Sequence, residues 1–145
     1  MKRTTVPEII ACAFFLLFVY TAISKLIALD YYLYDLKRSP LIAPYASAIA
    51  ILVPCCELLV AALLIPNKTR MYGFTGSLAL MVLFTLYVAY VLTYTTKRPC
   101  TCGGIIRQLS WPNHLIFNII FSILAITGII LQHKISKRTI QNELF

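Results

Sequence analysis

Four long apolar runs, each closed by polar or helix-breaking residues, organise this chain: Ile9 to Leu29, Tyr45 to Ile65, Met71 to Thr96, and His114 to Gln132. A hydrocarbon core needs about 20 apolar residues in helical form, and each run comes to that length. The pattern therefore predicts membrane-spanning helices over about 8–29, 45–65, 71–96 and 113–133. After the first run, Asp30-Tyr31-Tyr32-Leu33-Tyr34-Asp35-Leu36-Lys37-Arg38-Ser39-Pro40 mixes aromatic with charged residues and ends in a helix breaker. Tyrosine favours headgroup depth, so this stretch predicts a short interfacial helix. Pro40 and Pro44 lead into the second run, because the residue before a proline is pushed out of the helical region. Pro66-Asn67-Lys68-Thr69-Arg70 predicts a tight polar turn between the second and third runs. Small residues near the start of the third, Gly73, Gly76, Ser77 and Ala79, predict close helix packing without the strict GxxxG spacing. Asn113, following Trp111-Pro112, is expected to cap the fourth helix.

Composition strengthens this picture. The 145 residues are 60% hydrophobic, above the roughly 45 to 50% usual for soluble domains. A water-soluble core of this size could not hide so much apolar surface. The expected fold is all-α: one domain over residues 1–145, an integral membrane four-helix bundle with a short interfacial helix after helix 1. Lys2 and Arg3 before an apolar run resemble a signal peptide, but the run exceeds a typical h-region. Ala22-Ile23-Ser24 before Lys25 is a poor cleavage site, so the first helix is expected to be retained.

The formal charge of +8 changes the picture less than it first suggests. Basic residues stand at the ends of the apolar runs, where they meet lipid headgroups, and form no patch for nucleic acid. Their distribution bears on orientation. Lys2, Arg3, Lys68, Arg70, Lys134, Lys137 and Arg138 fall on one side, seven in all, against Lys37, Arg38, Lys97, Arg98 and Arg107 on the other, or six if Lys25 snorkels outward. The positive-inside rule then predicts cytoplasmic termini and an inner-membrane protein whose third connection faces the periplasm.

That third connection carries the chemistry. Cys100-Thr101-Cys102-Gly103-Gly104 sets two thiols one residue apart. Such neighbours can approach within disulfide distance in a turn, and the small ring is strained and hence readily reduced. Pro99 stops the helix before them, and Gly103 and Gly104 leave room for a partner. Arg98 and Arg107 flank the pair and favour thiolate. An oxidising compartment would let a disulfide form there and persist. Thiol exchange, metal binding and a structural turn all remain open from these residues. His114, twelve residues after Cys102, could add a soft-metal ligand, or simply cap the interfacial start of the fourth helix.

Three further positions lie inside the second run. Cys55 and Cys56 follow Pro54, and adjacent helical residues point about 100° apart, so the two should not pair with each other. Each is a candidate resolving thiol or an ordinary packing residue. Glu57 is an ionisable group within a spanning helix, which is costly and normally faces the bundle interior or a polar partner. It is a candidate proton relay or a buried hydrogen-bonding group, level with Tyr20 and a little deeper than Lys25, which either reaches it or snorkels outward. Cys12 is expected to be packing. Phe84, Tyr87 and Tyr90 fit lipid contact and helix packing equally well.

Tyr20 to Lys25-Leu26 ending the first helix, Pro54 and Glu57 with Leu58-Leu59 in the second, and the cysteine motif before the fourth together resemble the MauE branch of the DoxX-like membrane proteins. The resemblance covers nearly the whole chain, although only the cysteine motif is specific. Gly103 stands where the family motif usually carries an aromatic. What the resemblance implies is a membrane protein associated with thiol–disulfide redox, supporting disulfide formation in an exported protein or reductant transfer to it. The implied partner is periplasmic, thioredoxin-like or itself disulfide-containing. Thiol oxidases linked to quinone share the architecture of four helices with a thiol pair at the outer face, so a quinone cofactor is an open expectation at the level of fold. The alternatives are a non-enzymatic membrane subunit or assembly factor, and a soft-metal handling protein.

Overall fold

In the computed structural model the described residues are 5–94 and 110–144, and they are almost entirely helical, with no strand among them. Helix α1 spans Thr5–Ile27, α2 Leu29–Arg38, α3 Ala46–Leu64, α4 Arg70–Tyr94 and α5 Trp111–Glu143, with a single 3₁₀ turn at Ala43–Tyr45 leading into α3. Helices α1, α3, α4 and α5 are long and apolar enough to cross a membrane. Consecutive spanning helices pack side by side and α5 closes back on α1, giving an up-and-down four-helix bundle.

Burial on each spanning helix follows the 3.6-residue period. On α1 the inward stripe is Pro7, Ile10, Ala11, Phe14, Phe18, Thr21, Ala22 and Lys25. On α3 it is Ala46, Ala50, Pro54, Glu57, Val60, Ala61 and Leu64. Both stripes are apolar for most of their length and turn polar at matching depth, so two ionisable residues enter the interior as part of the packing face. The opposite faces are apolar too, with Leu16, Leu52, Leu59 and Ile123 exposed, as lipid contact requires.

Close packing is concentrated where the small residues of α4 meet α3. A Cβ added at Gly73 would come within 2.9 Å of the Leu64 backbone nitrogen, and one at Gly76 within 2.8 Å of the Val60 side chain. On α5, a Cβ at Gly128 would stand 2.6 Å from the Phe74 ring. Around these approaches Ile10, Phe14, Phe18, Val60, Ala61, Leu64, Phe74, Met81 and Ala125 form the main core. The turn between α3 and α4 is closed by side chains: Thr69 Oγ1 donates to the Leu63 carbonyl at 2.8 Å and Arg70 Nε to the Leu64 carbonyl at 3.2 Å. These bonds satisfy carbonyls that a helix C-terminus leaves open. Arg70 also lies 4.0 Å from Glu8, which puts the start of α1 beside the start of α4.

The short second helix is present, and its apolar side packs against α3. Tyr32 and Leu36 bury against Ala46 and Ala50 as a separate small core. Ser39, extended and preceding Pro40, ends α2 with its N–H donating to the Leu36 carbonyl at 3.1 Å. At the other ends the helix limits differ from expectation. Helix α5 does not stop near residue 133 but runs to Glu143. Its continuation, His133 to Asn142, holds neither Gly nor Pro, so polarity ends the apolar crossing without ending the helix. Nor does Asn113 cap α5. The helix begins at Trp111, Ser110 holds the extended cap position, and Pro112 occupies the first turn, where its missing N–H costs nothing. Cys12, expected to pack, is exposed on the outer face of α1.

Candidate functional site

Lys25 belongs to the last turn of α1 and Glu57 to the inner stripe of α3. The Lys25 Nζ lies 2.5 Å from Glu57 Oε1, with Lys25 only 6% and Glu57 1% exposed. The long lysine side chain reaches inward from its own level, while Thr21, one turn deeper on α1, stands beside the carboxylate. The Thr21 hydroxyl itself donates to the Phe18 carbonyl at 3.3 Å. The Lys25 ammonium also stands 5.5 Å from the Phe84 ring centroid on α4, within range for cation–π attraction. One interior cation thus joins three helices. As Lys25 is committed inward, it does not snorkel to the outer count of basic residues.

Helix α5 supplies the fourth wall. His114 and Asn118, one turn apart, are 7% and 2% exposed and continue a stripe that runs on through Ala125 and Gly128. His114 therefore faces the interior and does not cap its helix; its own N–H donates to the Ser110 carbonyl at 2.9 Å. From α4, the Tyr87 hydroxyl donates to Ser39 Oγ at 3.0 Å, tying the wall to the end of α2.

These residues surround a cavity of about 460 Å³. Its polar groups are Thr21, Lys25, Glu57, His114 and Asn118, and the rest of the lining is largely apolar and aromatic, including Phe84, Tyr87, Tyr90 and Phe117. Three buried polar atoms at its wall have no hydrogen-bond partner among the described residues: Glu57 Oε2, His114 Nδ1 and Asn118 Nδ2. An unmet buried polar atom costs about 1 to 3 kcal/mol, and three around one cavity are a departure from ordinary packing. The arrangement can hold a small ligand, and its polar wall offers it both a hydrogen-bond donor and an acceptor.

Of the residues singled out from the sequence, Cys100 and Cys102 lie outside the described residues, together with Arg98, Pro99, Gly103, Gly104 and Arg107. Cys55 is exposed and Cys56 half-buried, and both are free. Because Glu57 points inward, Cys56 is turned about 100° away and Cys55 about 200°, so neither shares the wall with the ion pair. Glu57 and Lys25 are brought together, Lys25 turning inward and not outward, and Phe84, Tyr87 and Tyr90 line the cavity. The described residues contain no cluster of three or more His, Cys, Asp or Glu suited to a metal; the thiols proposed to join His114 in one are outside that description. Sequence reasoning missed Thr21, Ser39 and Asn118. A signal for two of them was present: Thr21 with Lys25, and His114 with Asn118, are polar pairs four apart on otherwise apolar helices.

Neither curated proteins nor solved structures give a match to this chain. A family model does: that of the methylamine utilisation protein MauE, over residues 3–131. The matched region takes in α1, α3 and α4 whole, α5 as far as Leu131 and every residue that lines the cavity, and with this four-helix membrane architecture it establishes that the chain belongs to the MauE family of multi-pass membrane proteins.

Proposed function

We propose that this chain is a membrane thiol–disulfide exchange protein, using Cys100 and Cys102 to support disulfide formation in an exported partner or to pass reductant to it. One observation carries the reading: a CxC pair lies in the connection between α4 and α5 of a MauE-family membrane protein. The helices flanking that connection, α4 and α5, both line the polar cavity, with Tyr87, Tyr90, His114 and Asn118. The distribution of basic residues supports cytoplasmic termini and a periplasmic connection, since Lys25 turns inward and leaves the count at seven against five.

In the exchange, a thiolate from one cysteine of the reduced pair attacks the partner's disulfide. A mixed disulfide forms, and the partner's other sulfur leaves as thiolate. The second cysteine then attacks the mixed disulfide, releasing the partner as a dithiol and leaving the CxC disulfide. The reverse sequence oxidises the partner. The test is trapping in cells: Cys102→Ser or Cys100→Ser should retain a mixed disulfide with an exported protein, resolved by reductant on a gel. Impermeant thiol reagents should label the reduced pair in intact spheroplasts. Absence of any trapped species from both single variants overturns the reading.

A further inference from the structure

We propose that the intramembrane cavity is a binding site for a membrane-dissolved isoprenoid quinone, taken up laterally from the bilayer. The inference rests on the exchange reading for its purpose and on independent geometry for its place.

The first part of that geometry is the opening. Several residues that line the cavity are also exposed on the outside of the bundle: Leu41 before α3, Leu52 on α3, and Leu83 and Leu86 on α4. The cavity is therefore reached between α3 and α4 from the side that lipid covers. A ligand entering there needs an apolar tail that can stay in the bilayer and a compact head that can pass inward.

The second part is the polar wall. Asn118 Nδ2 is a donor only, and an ionised Glu57 Oε2 is an acceptor only. His114 Nδ1 donates or accepts according to tautomer. A lipid acyl chain satisfies none of the three. A fatty-acid head would set its carboxylate against Glu57. A quinone ring presents carbonyl acceptors when oxidised and hydroxyl donors when reduced, so it has a complement for this wall in both states. Phe84, Tyr87 and Phe117 supply flat apolar surface for the ring, and a volume of about 460 Å³ lies within the usual range for small-ligand pockets, about 300 to 1,000 Å³.

The chemistry closes with the exchange reading. When the CxC pair oxidises a partner it becomes a dithiol. Restoring the disulfide removes two electrons and two protons, and a quinone takes up both to become hydroquinone. The net change is partner dithiol plus quinone giving partner disulfide plus hydroquinone.

The test uses the purified full-length protein in nanodiscs, titrated with decyl-ubiquinone and with a short-chain menaquinone, and followed by thermal shift and by quenching of intrinsic fluorescence. At least one should bind saturably, and Asn118→Leu should weaken it about tenfold, the loss of one buried hydrogen bond. Ile126→Ala, on the lipid face, should bind as the parent does. A photoreactive azidoquinone should cross-link the unaltered protein at α3, α4 or α5 residues of the cavity, which guards against variants that fail to fold. Absence of saturable binding, equal displacement by oleate, or cross-links confined to the lipid-facing surface overturns the proposal. The Cys100→Ser/Cys102→Ser protein should bind quinone normally. Quinone binding without any trapped partner removes the exchange role and leaves the site; trapping without quinone binding does the reverse.

Discussion

Removing one member of the Lys25–Glu57 pair should cost far more than removing both. At 2.5 Å and an effective dielectric of about 20, the attraction is about 7 kcal/mol. Desolvating the two groups costs several kcal/mol each, so the net contribution relative to an apolar pair is close to zero. A lone charge in the same place keeps the desolvation cost and loses the attraction, a penalty of about 3 to 5 kcal/mol for a buried pair. Glu57→Gln leaves the ammonium stranded between α1, α3 and the Phe84 ring; Lys25→Met leaves the carboxylate with no cation among the described residues. Each should lower the melting temperature by about 6 to 20 °C, taking about 2 to 4 °C per kcal/mol at this chain length. The Lys25→Met/Glu57→Leu protein should lie within about 2 kcal/mol of the parent, giving a coupling energy of at least about 4 kcal/mol. Thermal unfolding in nanodiscs, read by helix circular dichroism, supplies all four corners of the cycle. If the double variant loses as much as the two single losses summed, the residues are not coupled and the argument from burial is wrong.

Further outcomes follow from the packing. Gly128→Val should destabilise the bundle by about 1 to 3 kcal/mol in the same assay, since even a Cβ there meets the Phe74 ring at 2.6 Å. Tyr87→Phe removes the hydroxyl that donates to Ser39 and should cost about 0.5 to 1.5 kcal/mol. Cys12→Ser and Cys55→Ser, both on exposed faces, should change stability by no more than about 0.5 kcal/mol. Deleting residues 134–145 should leave the melting temperature of the bundle unchanged within about 2 °C, because the described side chains there are almost all exposed.

The fold was largely legible because a bilayer asks a simple question of a sequence. Run length answers it, and the four crossings and the short helix after the first could be read from apolar runs and a Tyr-rich break. Helix ends were less legible where polarity and helix propensity part company. His133 to Asn142 is too polar to cross a membrane yet contains nothing that stops a helix, so α5 continues. Proline at Pro112 misled in the opposite sense, since it starts a helix as readily as it ends one, and the cap moved from Asn113 to Ser110. In the candidate site, Glu57 was conspicuous as a lone acid among apolar residues, but whether Lys25 turned inward to it or outward to the headgroups was not legible, because a long lysine side chain near a helix end can do either. Asn118 was less conspicuous: it stands four residues after His114, but a polar pair at that spacing could face any neighbour. Only the shared stripe with His114, Ala125 and Gly128 shows which way it points.

The two halves of the bundle do different work, and the ion pair marks the boundary between them. Towards the Arg70 end, glycines bring α4 against α3 and α5 against α4, and Phe14, Phe18, Leu64 and Phe74 fill the interior. Beyond Glu57, the walls carry Tyr87, Tyr90, His114 and Asn118 around the cavity, beside the small core of Tyr32, Leu36, Ala46 and Ala50. A bundle tight along its whole length would leave no room for a ligand, and one open along its whole length would have little packing to hold it together. Lys25 reconciles the two. It binds α1 to α3 where the main core ends, so the half that holds the cavity keeps its shape without being filled. The ordering should therefore be visible in hydrogen exchange: backbone amides of α3 after Glu57 should exchange more slowly than those before Pro54, and Glu57→Gln should narrow that difference by loosening the junction. Equal protection along α3 in the parent protein would refute a division at the ion pair.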